Sequence, residues 1–124
     1  MAFTTLKDLG ISKNPYNEKY DNYINGKWVK PVDGQSFENI TPLSGKAFCE
    51  VARSNEKDIN LALDAAHEAK EAWGKTSITE RANILLKIAD VMEQNLETIA
   101  LAETIDNGKP IRETMAADIP LSID

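Results

Sequence analysis

The chain has 124 residues, 42% of them hydrophobic and 27% charged, with a formal net charge of −6 and a pI near 4.8. That balance suits one small folded domain rather than a disordered chain, and it offers no basic footprint for nucleic acid. No apolar run of about eighteen residues could span a membrane, and Met1 to Gly10, with a single lysine and no apolar centre, is not patterned as a signal peptide.

Residues 1–20 are polar and mixed, with a turn or extended link at Asn14-Pro15, and read as an N-terminal arm ahead of a domain over 21–124. Tyr23-Ile24 and Trp28-Val29 flank Asn25-Gly26, the strongest short-range hairpin signal, because both central positions tolerate positive φ. Asp33-Gly34 marks a second turn and Ser36 to Ile40 a strand, and Pro42 and Gly45 bound another turn. From Ala47 to Arg53 the alternation predicts a strand with Ala47, Cys49 and Val51 on one face and Phe48, Glu50 and Ala52 on the other.

Asn55 followed by Asp58 predicts the start of a first helix, with Ile59, Leu63, Ala66 and Trp73 along one face. Ala62, Ala65, Ala66, Ala69 and Ala72 would let another helix approach closely, and Gly74 suits the positive-φ position past the end. Ser77 and Glu80 have the spacing of a capping box, and Ile84, Leu85, Ile88, Val91 and Met92 recur as a buried helical face should. Asn95 is the expected bend. The run continues through Leu96, Ile99 and Ala100 and stops at Asp106-Asn107-Gly108-Lys109-Pro110, where Gly108 ends one helix and Pro110 opens the next. A short loop before Ser77 predicts antiparallel pairing of the first two helices. Ile111 to Asp124 reads as part of a third helix, kinked or restarted at Pro120. The expected class is α+β: a hairpin and short strands, then two antiparallel helices and part of a third.

Chemistry is sparse along this chain. Asp106 sits in the last turn of a helix, where the dipole disfavours a negative charge. The amides of the following turn, Lys109 or a bound cation would each account for it, turn capping being the ordinary role of such an aspartate. Cys49, the only cysteine, is compatible with a reducing cytoplasm and reads as a small buried hydrophobe rather than a nucleophile. His67, the only histidine, lacks partners for a metal site. No two glycines stand closer than eight positions, so neither a dinucleotide fingerprint nor a phosphate loop can be written. Glu68, Glu71, Glu80, Glu93, Glu97 and Glu103 lie near lysine or arginine on polar helix faces and read as solvated surface, and Trp28 and Trp73 as packing anchors.

The run Glu103-Thr-Ile-Asp-Asn-Gly-Lys-Pro110, continued by Ile111-Arg-Glu113, resembles the aldehyde dehydrogenase superfamily. Tyr23-Ile-Asn-Gly-Lys-Trp28, Thr41-Pro-Leu-Ser-Gly45 and the stretch from Ala62 to Arg81 agree with it in order, over about residues 20 to 124. Pro110-Ile-Arg-Glu-Thr114 and Ala116-Ala-Asp118 are most similar to the bacterial acetaldehyde dehydrogenase branch.

The resemblance implies part of a cytoplasmic, homo-oligomeric enzyme, dimeric or tetrameric, that oxidises small aldehydes such as acetaldehyde to carboxylic acids with NAD or NADP. In that family a thiolate attacks the aldehyde, hydride passes to the nicotinamide and an activated water releases the acid. The nucleophile, the general base and the dinucleotide motif match no position in 1–124. The domain over 21–124 is therefore expected to be incomplete, stopping before that motif, and this chain alone is expected to be inactive and to bind no cofactor. The helix faces around Trp73, Ile88 and Val91 would then lack part of their cover. Two roles carry over by position: main-chain oxygens at Asn39-Ile40 with Asp106 as ligands of a sodium or potassium ion, and Leu121 facing the substrate tunnel. The family's usual threonine at the first ligand position is Asn39 here. A non-catalytic remnant or interaction module binding full-length subunits is the alternative reading.

Overall fold

A computed structural model describes residues 14–124, opening with β1 (Lys19–Tyr20) and a hairpin of β2 (Asn22–Ile24) and β3 (Lys27–Val29). Asn25 and Gly26 take φ of 51° and 75°, the left-handed pair that a two-residue hairpin requires. Tyr23 opposes Trp28 across this ladder, their rings edge to face at 5.1 Å.

Two longer strands follow, β4 (Ser36–Thr41) and β5 (Lys46–Ala52). Antiparallel to β4 and parallel to β1, β5 is the centre of a sheet in the order β1-β5-β4. Asn39 pairs with Cys49 but Ile40 with Ala47, so Phe48 is an extra residue on β5. This bulge breaks the expected alternation: Phe48 and Cys49, neighbours assigned to opposite faces, are both buried and share one cluster with Ile105. Tyr16, Tyr20, Val51 and Leu101 pack around that cluster. The described end of the expected arm is thus part of the core, with the Tyr16 and Phe48 rings 4.6 Å apart. Residues 1–13 of that arm lie outside the described residues.

Helix α1 (Glu56–Lys75) begins at a complete capping box between Asn55 and Asp58. It runs through Gly74, against expectation, and ends where Thr76 turns extended at ψ 135°, one residue before the next cap. Two caps in succession end the helix here, so no left-handed glycine is needed. Helix α2 (Ile78–Gln94) carries the Ser77–Glu80 box, and Asn95 separates it from α3 (Leu96–Asn107) as the bend. Gly108, at φ 79°, closes α3. Pro110 then caps a final helical run: α4 (Ile111–Glu113), a π-turn (Thr114–Asp118) and α5 (Ile119–Ile123).

Strands followed by helices bear out the α+β reading. The helix packing differs in detail, because α2 lies mainly against α3 and α5 while α1 lies against β2. The antiparallel pairing of α1 with α2 is not among the principal contacts. The periodic face of α2 is apolar yet uncovered: Ile84, Leu85, Ile88 and Val91 are 45–68% exposed. Trp28 and Trp73 are likewise more than half exposed and anchor no core. Periodicity records which face is apolar; cover must come from another element, and these faces have none here.

Asp58, 3% exposed, ties this half of the chain together. One carboxylate oxygen accepts the Val32 amide at 2.8 Å and the Asn22 side chain at 3.5 Å, and the other accepts the Asn55 amide at 3.0 Å. Asp58→Ala, by stranding these donors and removing the cap, should lower stability by about 1–3 kcal/mol in denaturant unfolding. A loss below about 0.5 kcal/mol, the range of an ordinary surface change, would contradict that role.

Candidate functional site

The end of α3 meets the β4–β5 turn, and the expected ligand residues converge there. Gly108 donates its amide to the Thr104 carbonyl at 2.9 Å, closing the helix. A Cβ at Gly108 would stand 2.9 Å from Pro42 Cγ, so backbone and turn are in direct contact. Thr41, fully buried, donates its hydroxyl to the Ile105 carbonyl at 2.5 Å and accepts the Leu43 amide at 3.3 Å. These bonds fix the azimuth of the last turn of α3 against β4.

Asp106 consequently faces the bulge. Its carboxylate accepts the Asn39 side-chain amide at 2.7 Å. Of the three partners open to it, Lys109 is excluded: the Lys109 ammonium goes to both oxygens of Asp118, at 2.5 and 2.6 Å. The bulge falls between Asn39 and Ile40, where main-chain groups leave the regular ladder. Asp106 is thus tied, through the Asn39 side chain, to the Asn39–Ile40 segment of β4. Among the described residues no group of three or more His, Cys, Asp or Glu side chains could hold a metal.

Beneath this surface lie Cys49 and Tyr16. Burial first, then the Asp106 charge, pushes the Cys49 thiol up, while the Asn39 hydrogen bond pulls it back. That setting disfavours the thiolate and is opposite to the electropositive one a nucleophile needs. Tyr16 donates its hydroxyl to the Ala102 carbonyl at 2.5 Å. Burial raises its pKa strongly, and the nearby Asp106 charge adds to the effect.

His67 is exposed on α1. Leu121, on α5, is 73% exposed and not joined to the Asn39–Asp106 cluster. Open clefts of 220 Å³ beside Tyr20 and Asp21, 430 Å³ between the hairpin and α1, and 560 Å³ at the α2–α3 bend hold no nucleophile paired with a base. No described helix is long and apolar enough to cross a membrane. Sequence reasoning missed Tyr16, Thr41 and the Lys109–Asp118 pair. Their partners are remote in sequence or lie across a turn whose shape is not written locally.

The sequence pattern of the aldehyde dehydrogenase family matches residues 28–124. Acetaldehyde dehydrogenase 2 of Cupriavidus necator is 56% identical over 124 residues, all of this chain and 24% of that protein. The long-chain-aldehyde dehydrogenase of an Acinetobacter species is 60% identical over 113 residues, 91% of this chain and 22% of that protein. Among solved structures, the NAD+ complex of an aldehyde dehydrogenase from Bacillus cereus superposes with a TM-score of 0.82 at 33% identity. That superposition covers 86% of this chain and 22% of the other. The chain thus spans between a fifth and a quarter of the length of these relatives.

The raised Tyr16 pKa has a definite consequence for stability. Its contribution is fully present below the ordinary tyrosine pKa of about 10 and is lost as pH rises above it. The stability gap between the native protein and Tyr16→Phe should therefore shrink as pH rises from about 8 to about 11 in denaturant titrations. A gap independent of pH would refute the assignment.

Proposed function

The chain belongs to the aldehyde dehydrogenase family, and we propose that it is the N-terminal part of a cytoplasmic, homo-oligomeric enzyme oxidising small aldehydes to carboxylic acids with NAD or NADP. The observation that carries this reading is the match of the whole chain to an acetaldehyde dehydrogenase at 56% identity. Relatives named for acetaldehyde and for long-chain aldehydes are about equally similar here. Overall identity therefore does not single out one aldehyde, and acetaldehyde is the first substrate to test.

Among the described residues, neither α1 nor α2 offers a site that suits a dinucleotide. A pyrophosphate would need open amides at a helix N-terminus, and the starts of α1 and α2 are closed by their own Asn55–Asp58 and Ser77–Glu80 boxes. In this reading NAD or NADP is held by other parts of the enzyme, and this chain contributes scaffold. Leu121, exposed on α5, would face the substrate passage.

The Asn39–Asp106 cluster fits a sodium or potassium ion. Asp106 would supply a carboxylate oxygen, and the main chain at Asn39 and Ile40 the carbonyl oxygens. The side-chain hydrogen bond already holds carboxylate and bulge together, and the ion would offset a negative charge in the last helical turn.

Two measurements test these readings. Native protein containing this sequence, purified from its source, should have a mass several times 13.7 kDa and form NADH or NADPH when given acetaldehyde. A mass near 13.7 kDa without turnover would dismiss the enzyme reading and favour an interaction module. For the cation, the melting temperature of the native enzyme should be higher in sodium or potassium chloride than in choline chloride of equal ionic strength, and Asp106→Ala should abolish the difference. An equal response of both proteins would sink the cation site.

A further inference from the structure

Between α4 and α5 the chain widens into the π-turn Thr114–Asp118, with the Ile119 amide bonded to the Thr114 carbonyl five residues back. Pro120 supplies the local cause. It has no amide to donate, and in an α-helix its ring would press on the Ala116 carbonyl four residues earlier. A dilated turn relieves that conflict by inserting one residue, and everything after it is rotated by about 100° relative to an unbroken α-helix.

Both ends of the widened turn are tied. At its start, Thr114 is fully buried and donates its hydroxyl to the Ile111 carbonyl at 3.1 Å. It therefore receives the Thr104 hydroxyl at 3.0 Å, which fastens it to α3. At its end, Asp118 holds the Lys109 ammonium with both oxygens. Lys109 is itself set in place by its amide bond to the Asn107 side chain at 2.8 Å. With the turn so held, Ile119 points inward at 3% exposure and Leu121 outward at 73%.

An exposed ion pair normally contributes little to global stability. This one bridges the loop before Pro110 to the last residue of the π-turn, so it acts on helical register. We propose that the Lys109–Asp118 pair is a register lock: it holds the π-turn and thereby sets the azimuth of Leu121, which tunes the size of aldehyde the enzyme accepts. This rests on the reading of Leu121 as facing the substrate passage. Lys109 and Asp118 are positioning residues. Neither need touch the substrate.

The test uses the full-length enzyme with Lys109→Met, and with Lys109→Arg as the conservative control, assayed on straight-chain aldehydes of two to six carbons. Lys109→Met should change the ratio of KM for hexanal to KM for acetaldehyde by about fivefold or more. Its kcat on acetaldehyde should stay within about twofold of the native value, and Lys109→Arg should restore the native ratio. An unchanged ratio in Lys109→Met, or an equal fall of kcat on every aldehyde, overturns the proposal. Amide exchange in residues 115–119 gives a second readout that needs no turnover. Lys109→Met should speed it about tenfold while the amides of α2 keep their native rates, and unchanged exchange overturns the lock. A native enzyme that oxidises no aldehyde would defeat the functional reading instead, leaving exchange to decide the register lock.

Discussion

The fold depends on how the last turn of one helix is sealed against one strand turn. A helix ends with four carbonyls that lack helical partners, and any of them that is buried must find a donor. In α3 the Ile105 carbonyl finds the Thr41 hydroxyl, both residues being fully buried. Gly108 lets the chain turn away at once, and only a residue without Cβ can pass Pro42 so closely. This junction joins the β1-β5-β4 sheet to the helices that follow. It also orients Asp106 toward β4.

Burial is distributed in keeping with that design. Among the described residues, Phe48, Cys49, Ala100, Ile105 and Ile119 are the buried apolar ones, whereas the long faces of α1 and α2 stay open. The buried polar residues Thr41, Asp58 and Thr114 each stand where two elements meet, and each is hydrogen-bonded. An unmade bond at such a site costs the full desolvation of its group, so these residues specify geometry more sharply than the apolar surfaces do. The open faces accord with a chain that spans between a fifth and a quarter of its relatives' length.

What was legible in the sequence was local. Both capping boxes, the Asn25-Gly26 hairpin, the bend at Asn95 and the stop at Gly108 depend on residues within four positions of one another, and all are present. The bulge at Phe48 was not legible, because register belongs to a pair of strands and alternation along one strand cannot reveal it. Gly74 misled for the opposite reason: a glycine permits a helix to end but does not require it, and the cap at Ser77 set the end two residues later. Pro120 announced a disturbance of the last helix without its form. Bend, break and dilation each satisfy a missing amide, and the choice fell to Thr114, Lys109 and Asp118, which lie on either side. The candidate site was half legible from the residues themselves, since the carboxylate of Asp106 stood out, whereas Asn39 on β4 was indicated only by the family resemblance.

The division of charge around Gly108 explains why that carboxylate remains conspicuous. Lys109 follows Asp106 closely and could have neutralised it, which would have left a plain capped turn. Its ammonium is committed to Asp118 instead, and the last turn of α3 contains no basic residue. Asp106 is left with a neutral donor, the Asn39 amide, which orients the carboxylate without cancelling its charge. In the proposed reading, a cation beside Asp106 would offset a negative charge held against helix carbonyls. The ion pair at the π-turn and the uncancelled carboxylate of Asp106 are thus two results of one allocation, made by a single lysine.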